Sequence, residues 1–447
     1  MNLKTWKVLI VGTIILLSCN QTIGITNVKT TLTNIIDGNS NLAAISVSGT
    51  GTLQDPYILS NFSISCSNYL TPSLVINNTN SYFIFQDSTS QNCKYGLVMN
   101  NVSNAWVKNL SQFDGINVKN AENIKLENVE SKYQNYLENT NDFVINNSTF
   151  ALFNTNNGTI QHCNGINSIS NSTNIRIKDS SLQSLRIYNS VDLDFQENSL
   201  SGVLTIQNGT NIIFTSTTGT ISSGTIQDSN NVVLANVRNI EVKHDKNIIL
   251  RNITVDPGEF KITDSQNITV ENSTFKWFNE VSEEYSNINV NNSSEVNLLN
   301  NRIESSYEKT GQRTVNLIYI SYSNKIHIID NWLNFSSIGI ILDNVENSLI
   351  DKNNFTDIGT GIILHQSSLN TVSNNLITSS DTGIYLSNAS NNILKNNSYI
   401  DVSHVYRSTL TNTNNAFLDN TSSGLPAFNF GVLLFTICII IKQRRKK

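Results

Sequence analysis

The chain has 447 residues, which exceeds an average domain and requires either several domains or one long repeat array. With 4 Pro and 21 Gly, the composition excludes collagen-like sequence and Pro/Gly-rich disorder. The net charge of -5, without a basic block before the last six residues, argues against a nucleic-acid partner.

The N-terminus has the composition of a signal peptide. Lys4 and Lys7 form a charged start, residues 8–17 are mostly apolar, and small or polar residues follow. This order of charged, apolar and small residues is typical of an exported chain. We therefore predict a signal peptide at residues 1–24.

An internal repeat covers most of the chain. Near its end, phrases beginning at Gly339, Gly361 and Gly383 recur every 22 residues, each as Gly-Ile followed by two strand-forming residues. A second phrase lies between them, in which alternating apolar residues lead into paired Asn, as at Asn353-Asn354. A fixed period of this size indicates a solenoid, and the alternation indicates strands with one buried face.

These units predict an all-β fold, a single-stranded right-handed parallel β-helix (solenoid) at residues 66–405, preceded by a capping segment at residues 25–65. Short strands cannot bury a face alone, but stacked coils share a continuous apolar interior. Asn suits the corners because it tolerates the left-handed backbone and its amide can bond to an amide one coil away. About 15 coils at ~4.8 Å give a rod on the order of 70 Å long.

Residues 36–64 resemble the entry segment of the NosD-like right-handed parallel β-helix repeat proteins. Within them, residues 51–57 read Gly-Thr-Leu-Gln-Asp-Pro-Tyr, a phrase that is fairly specific for this family. The resemblance extends over roughly residues 30–400 and implies a surface β-helix protein of the archaeal type. The family name is associated with copper-enzyme maturation, but 5 His and 2 Met do not favour a copper role here.

Two consecutive repeats are longer than the others and predict two loops within residues 276–315. Both follow the Asn phrase by a similar offset, so we expect them to leave the same corner and lie side by side. Their rings and carboxylates form a candidate patch for a sugar face or Ca²⁺, although such loops can also merely decorate a solenoid. The patch consists of Trp277, Phe278, Glu283, Glu284, Tyr285, Tyr307, Glu308 and Arg313.

Three cysteines lie between the predicted signal peptide and anchor: Cys66, Cys93 and Cys163. In an exported chain they allow one disulfide and one free thiol, and Cys66 with Cys93 is the preferred pair because they lie one coil apart. Asn-x-Ser/Thr sequons offer N-glycosylation sites, in a number close to that expected by chance. The candidates are Asn101, Asn171, Asn252, Asn272, Asn354 and Asn388.

The C-terminus predicts a linker at residues 406–424, a transmembrane anchor at residues 425–441 and a basic cytoplasmic tail at residues 442–447. The tail contains Lys442 and four further cations, which are retained on the cytoplasmic side of a membrane. We therefore predict a single-pass cell-membrane protein with an extracellular β-helix and the membrane as a partner. The apolar run is shorter than a typical span.

No catalytic or metal-binding constellation is recognisable in the sequence. Arg176-Ile177-Lys178 matches a phrase of polygalacturonases, but their paired aspartates are missing, so we interpret it as a strand with two outward cations. His244-Asp245 is interpreted as a solvated strand or turn. We predict no catalytic residue, no metal site and no cofactor apart from the Ca²⁺ considered for the loops.

The sequence favours a non-catalytic cell-surface β-helix protein. It would act as a rigid scaffold, or as a module that binds a surface polysaccharide or another surface protein. The alternative is a carbohydrate-active enzyme, a polysaccharide lyase or hydrolase, acting through the loops at residues 276–315. Fold by itself does not choose between these functions.

Overall fold

The computed structural model describes residues 35–66, 74–256, 258–277, 285–305, 315–409 and 411–423. The predicted signal peptide, transmembrane anchor and cytoplasmic tail lie outside these residues. Within the described part of the chain, no helix is long and apolar enough to cross a membrane.

The described residues form one helix and 39 strands. Helix α1 spans Gly38–Ile45. The first strands are β1 (Ile35–Asp37), β2 (Tyr57–Ser60), β3 (Ser63–Ser65), β4 (Leu74–Thr79), β5 (Phe83–Gln86), β6 (Thr89–Gln91), β7 (Leu97–Phe113), β8 (Ile116–Ser131), β9 (Asn135–Ser148), β10 (Phe150–Phe153), β11 (Asn156–Gln161), β12 (Asn164–Ser170), β13 (Thr173–Lys178) and β14 (Ser181–Tyr188). The middle strands are β15 (Val191–Gln196), β16 (Ser199–Gln207), β17 (Thr210–Thr215), β18 (Thr218–Gln227), β19 (Asn230–Ala235), β20 (Ile240–Lys243), β21 (Lys246–Arg251), β22 (Thr254–Val255), β23 (Phe260–Thr263), β24 (Gln266–Glu271), β25 (Thr274–Trp277), β26 (Tyr285–Asn291) and β27 (Ser294–Leu299). The last strands are β28 (Arg302–Ser305), β29 (Val315–Ser321), β30 (His327–Ile329), β31 (Trp332–Asp343), β32 (Leu349–Asp351), β33 (Asn354–His365), β34 (Thr371–Ser373), β35 (Leu376–Ser387), β36 (Ile393–Lys395), β37 (Ser398–Ser408), β38 (Ala416–Leu418) and β39 (Thr421–Ser423).

The strands stack as a right-handed parallel β-solenoid of about 16 turns. Strand β8, for example, pairs in parallel with β7 on one side and with β9 on the other. The 22-residue repeat is the coil itself, because Ile340 pairs with Ile362 and Ile362 with Ile384. The predicted all-β parallel β-helix is therefore confirmed.

The interior consists of columns of apolar side chains, one from each coil. Met99, Val118 and Leu137 occupy the same position on successive coils and are fully buried. In another column, the rings of Phe195 and Phe214 stack with centroids 4.1 Å apart and planes 1° apart. Burial of these columns, at about 1.5–3 kcal/mol per large side chain, is the main source of cohesion between coils.

Exposed Asn residues form a ladder along one corner, as the sequence predicts. Asn120, Asn139 and Asn154 have φ values of 50°, 51° and 51°, in the left-handed region. The Asn139 amide donates to the Asn120 side-chain oxygen at 3.0 Å, and the Asn154 amide donates to that of Asn139 at 3.0 Å. Each amide therefore joins two coils at a point where the strand direction changes.

A second ladder of Asn side chains is buried at another corner. The Asn353 Oδ1 accepts hydrogen bonds from the backbone N–H and the amide of Asn331, at 2.9 and 3.0 Å. Its Nδ2 donates to the Ile328 carbonyl at 2.8 Å and to Asn375 Oδ1 at 3.0 Å. The side chain thus satisfies backbone groups at a corner that the strand ladders do not reach.

The coil stack is longer at both ends than the boundaries expected from the sequence. Strand β1 pairs with β4, so the first coil begins inside the segment 25–65, where α1 covers the interior with the buried Leu42. Strands β38 and β39 form a further coil inside the expected linker 406–424. The reason is that Asn415 and Asn420 continue the inner ladder by accepting from the coil before.

We expect Asn353→Ala to destabilise the C-terminal coils by roughly 2–4 kcal/mol, because a buried N–H and a buried carbonyl would each lose a partner. Calorimetric unfolding of the variant should start at a lower temperature than that of the native protein. Lys395→Ala, on an exposed strand position of the same region, is the matched control. Equal effects of the two substitutions would contradict a role for the ladder.

Candidate functional site

One coil of the solenoid is much shorter than its neighbours. In it, a single residue separates Ser148 from Phe150. The positions stacked against these two in the preceding coil are Val129 and Asn135, which enclose residues 130–134. Because this coil lacks one side, the wall of the solenoid steps inward at this level.

The inward step forms an open cavity with a volume of about 850 Å³, which we call the notch. Its floor carries small residues, among them Ala151, Gly165 and Ser168. Strands β8, β9, β10, β12 and β14, which lie on one side of the solenoid, contribute residues to it. The four aromatic side chains of the notch are those of Tyr95, Tyr136, Phe153 and Tyr188.

The aromatic side chains of the notch are available to a ligand. The side chains of Tyr136 and Phe153 are 38% and 43% exposed, whereas most aromatic side chains of this size are largely buried in folded proteins. Tyr95 meets Tyr136 edge to face with centroids 6.2 Å apart, which orients the Tyr136 ring. Exposed rings held on rigid strands are suited to cover the apolar face of a sugar.

Polar groups of the notch are arranged around these rings. Lys119 Nζ lies 2.6 Å from Glu138 Oε2, and the Gln134 amide donates to Asn167 Oδ1 at 2.5 Å. Arg186 is exposed and forms no hydrogen bond or ion pair with any residue that the structure describes. The notch therefore combines rings, amides and one guanidinium that no carboxylate of the described residues neutralises.

The notch does not contain the groups that glycoside hydrolysis requires. Among its described lining residues, Glu138 is the one carboxylate, and it is bound to Lys119. Hydrolysis of a glycosidic bond requires two carboxyl groups, one of which acts as the acid. The described lining of the notch therefore lacks the pair of carboxyl groups typical of glycoside hydrolases.

The candidate patch predicted at the two long loops lies mostly outside the described residues. Trp277 and Tyr285 are described as strand positions, with their backbones paired to Ser305 and Val315 of the next coil. The ends of both loops thus lie in register on neighbouring coils, 28 to 30 residues apart. The patch and its Ca²⁺ stay predictions for the remaining members: Phe278, Glu283, Glu284, Tyr307, Glu308 and Arg313.

Titratable residues replace Asn on three successive coils of the exposed corner. Asp228, His244 and Asp264 all have the left-handed backbone of that column. His244 Nδ1 lies 3.3 Å from Asp228 Oδ1, and its Nε2 lies 3.2 Å from Asp264 Oδ2. A protonated His244 would therefore pair with carboxylates on the coils before and after it.

Asp245, which follows this histidine, is buried with 1% exposure. Its carboxylate accepts hydrogen bonds from the backbone N–H groups of Ser229 at 2.6 Å and Lys243 at 2.8 Å. Burial raises the pKa of Asp245 to about 7, although the two backbone hydrogen bonds oppose the rise. The interpretation of His244-Asp245 as a solvated turn is therefore wrong for Asp245, because its side chain points into a corner column that holds Ser265 on the next coil.

The cysteines follow the pairing that the sequence analysis preferred. Cys66 and Cys93 are joined by a disulfide with Cα atoms 5.2 Å apart, which ties the end of β3 to the chain after β6. Cys163 is a buried free thiol, and burial raises its pKa to about 11. A thiol held neutral in this way is a poor nucleophile and a poor metal ligand.

Five of the six candidate glycosylation sites are exposed corner residues with a left-handed backbone. Asn354 differs, since it is half-buried at the start of β33. Glycosylation of the set stays a prediction for Asn101, Asn171, Asn252, Asn272, Asn354 and Asn388.

Residues 277–426 match the family model described as periplasmic copper-binding protein (NosD). The NosD resemblance is confirmed for this part of the chain. The match begins well after residues 36–64, whose phrase suggested the family. No curated protein matches the chain in sequence.

The copper in the NosD description does not fit the described residues. No group of three or more His, Cys, Asp or Glu side chains in the described part of the chain is placed to hold a metal ion. Copper sites need converging imidazole or sulfur ligands. Met99 and Cys163 are both buried in the interior, and the histidines lie on five different coils, at His162, His244, His327, His365 and His404.

Several solved structures are similar to the chain at low identity. Tailspike protein 3 of bacteriophage CBA120 is 12% identical with a TM-score of 0.30, over 83% of this chain and 55% of that one. This chain thus spans about half the length of the tailspike. The periplasmic alginate epimerase AlgG is 10% identical with a TM-score of 0.27, over 81% of this chain and 84% of that one.

The adhesin PfbA of Streptococcus pneumoniae is 14% identical with a TM-score of 0.30, over 70% of this chain and 91% of that one. At such identities and TM-scores, we carry no residue, ligand or activity over from any of these proteins.

The sequence analysis missed the notch. The available signal was the spacing of the corner asparagines, which falls from 19 residues between Asn120 and Asn139 to 15 between Asn139 and Asn154. A coil that short must lose a side, which marks an indentation. Spacing alone does not reveal that Tyr136 and Arg186 line the same cavity, because their contact with it depends on the register of several coils.

We expect the stability of the protein to depend on pH through Asp245. Its folded-state pKa of about 7 exceeds the ordinary value of 3.8, so its contribution is fully present below the ordinary value and is lost as the pH rises through 7. The effect of Asp245→Asn on the free energy of unfolding should therefore be more favourable at pH 8 than at pH 4, by up to about 4 kcal/mol for a shift of about 3 pKa units at ~1.4 kcal/mol per unit.

Urea unfolding of native and variant protein at both pH values measures this difference. Asp142→Asn, at an exposed corner position, is the control and should show little pH-dependent effect. An Asp245→Asn effect of the same size at pH 4 and pH 8 would contradict the buried-carboxyl explanation.

Proposed function

We propose that this chain is a non-catalytic β-helix protein of the cell surface, which binds an extended glycan in the notch and displays it at a distance from the membrane. The match of residues 277–426 to the NosD family model supports a surface β-helix. The export signal predicted at residues 1–24 and the anchor predicted at residues 425–441 support the location.

The observation that carries this proposal is the combination of groups in the notch. Two exposed rings, Tyr136 and Phe153, lie on neighbouring coils beside amide and guanidinium donors. Carbohydrates present both apolar ring faces and hydroxyl groups, so they require both kinds of contact. The open shape fits a chain that continues beyond the cavity at either end.

The rest of the molecule supports a role as a rigid spacer. The apolar columns run from coil to coil and the Asn ladders join many of the described coils, and with about 16 turns at ~4.8 Å the rod is roughly 75 Å long. A rod of this length, tethered at the predicted C-terminal anchor, would hold the notch away from the lipid surface. Its partner there would be a surface polysaccharide or another surface protein.

The enzyme alternative places chemistry at the loops of residues 276–315. Near the ends of these loops, Glu304 is 3.2 Å from Lys276 and 2.8 Å from Arg302. Burial favours its protonated form, but the hydrogen bonds from Arg302 and Lys276 outweigh burial and lower the pKa of Glu304. A carboxylate kept ionised in this way is not a general acid.

We expect Tyr136→Ala and Tyr188→Ala each to weaken glycan binding by about tenfold, because each removes a ring on which a sugar can stack. A glycan array followed by titration of the best ligand measures the effect. Tyr385→Ala is the control, since this residue faces outward on the same side of the solenoid but outside the notch. A ligand whose affinity is unchanged by the first two substitutions would contradict the proposed site.

We expect the purified protein to release no reducing ends from a panel of polysaccharides, because the described lining of the notch contains a single, ion-paired carboxylate and hydrolysis requires two carboxyl groups. Unsaturated products, which β-elimination forms without a pair of carboxyl groups, are assayed in parallel, and the proposed binding role predicts none. Colorimetric and ultraviolet assays detect the two classes of product. Product formation that is lost in Glu283→Gln or Glu308→Gln would establish the enzyme alternative instead.

A further inference from the structure

Two outward arginines of this solenoid are each paired with an acid on the next coil. Arg176 pairs in register with Asp194 and lies 3.3 Å from it. Arg251 is likewise paired in register with Glu271 at 2.5 Å. Such pairs follow from the parallel register, which places side chains of adjacent coils directly beside each other.

Arg186 departs from this pattern inside the notch. Its register partners on the coils before and after are Ser168 and Thr205, neither of which carries a charge. The carboxylate of the notch, Glu138, lies 2.6 Å from Lys119 and is neutralised by it. The described lining of the notch therefore has one uncompensated positive charge, at Arg186.

The position of Arg186 relative to the nearest ring suits a sugar that carries an acidic group. Arg186 and Tyr188 are two residues apart on β14, so both side chains project from the same side of the strand at about 6.6 Å along it. A sugar stacked on Tyr188 would hold a ring substituent near the guanidinium. Arginine binds a planar carboxylate through two parallel hydrogen bonds.

We propose that the notch selects glycans built from uronic acids, with a sugar carboxylate bound by Arg186 and the sugar ring stacked on Tyr188. This inference rests on the proposed glycan-binding function and adds the class of ligand. A neutral glycan would cover the Arg186 guanidinium without supplying an anion to pair with it. Desolvation of the guanidinium would then cost free energy that no ion pair offsets.

The test compares each uronate with the same oligosaccharide in which the carboxyl groups have been reduced. Full-length protein is titrated with oligogalacturonate and oligomannuronate, with the carboxyl-reduced form of each, and with dextran sulfate. We expect at least one uronate to bind about tenfold more tightly than its reduced form, with a preference that weakens as salt increases.

Substitutions assign the preference to one residue. Arg186→Gln should remove the difference between the charged and reduced ligands, and Arg186→Lys should retain part of it. Arg176→Gln is the matched control, because this outward arginine lies outside the notch and is paired with Asp194. Each variant is checked for a native unfolding transition.

The outcomes separate the two proposals. Suppose that the charged ligands and their carboxyl-reduced forms bind equally well, and that Tyr136→Ala weakens the binding of both. That result would overturn the acid selectivity and leave the glycan site intact. Binding of dextran sulfate without any uronate would overturn the carboxylate assignment. Absence of binding to every ligand, including a panel of neutral glycans, would overturn the site itself.

Discussion

The hydrogen bond from one corner amide to the next is the interaction on which this structure depends. Strand ladders satisfy the backbone along the sides of each coil, but at the corners the chain turns and its N–H and C=O groups leave the ladder. Asn139 joins two coils on the outside, and the Asn353 side chain closes a buried corner through five hydrogen bonds. Because most described coils repeat a side-chain hydrogen bond at these corners, from Asn or from a residue such as Ser, their apolar columns remain aligned.

A scaffold with this constraint acquires functional features where the repeat departs from its regular form. The coil between Asn139 and Asn154 has lost a side, and the resulting notch exposes rings and a guanidinium. The coil that follows Asn272 is lengthened instead, since 28 residues separate Asn272 from Asn300, its partner on the next coil. At the exposed corner, His244 takes the place of Asn between two aspartates, so an imidazole between two carboxylates replaces the hydrogen bond between side-chain amides. In each case the neighbouring coils hold the altered one in position.

Much of the fold was predictable because its signals are local and repeated. A strand with one buried face requires alternation, and a left-handed corner requires a residue such as Asn, so both leave a pattern that needs no knowledge of distant contacts. The ends of the solenoid were less predictable. The last coil, with Asn415 and Asn420, has the same ladder but weaker alternation, and the sequence analysis read it as a linker. The buried state of Asp245 was missed for a related reason. The next coil has Ser265 at the corresponding corner, so no repeated residue type identifies this corner as buried.

The sequence by itself determined that the chain is a stack of parallel coils with Asn corners, and it favoured Cys66 with Cys93 as the disulfide pair. It did so because these properties depend on residue type and spacing. Only the tertiary structure decided which side chains meet. Tyr136 and Arg186 are 50 residues apart along the chain, and they line one cavity because a shortened coil lies between them and sets the register of both walls. The strand register also decides that Arg186 is not ion-paired by its neighbours, because it places the uncharged Ser168 and Thr205 beside it.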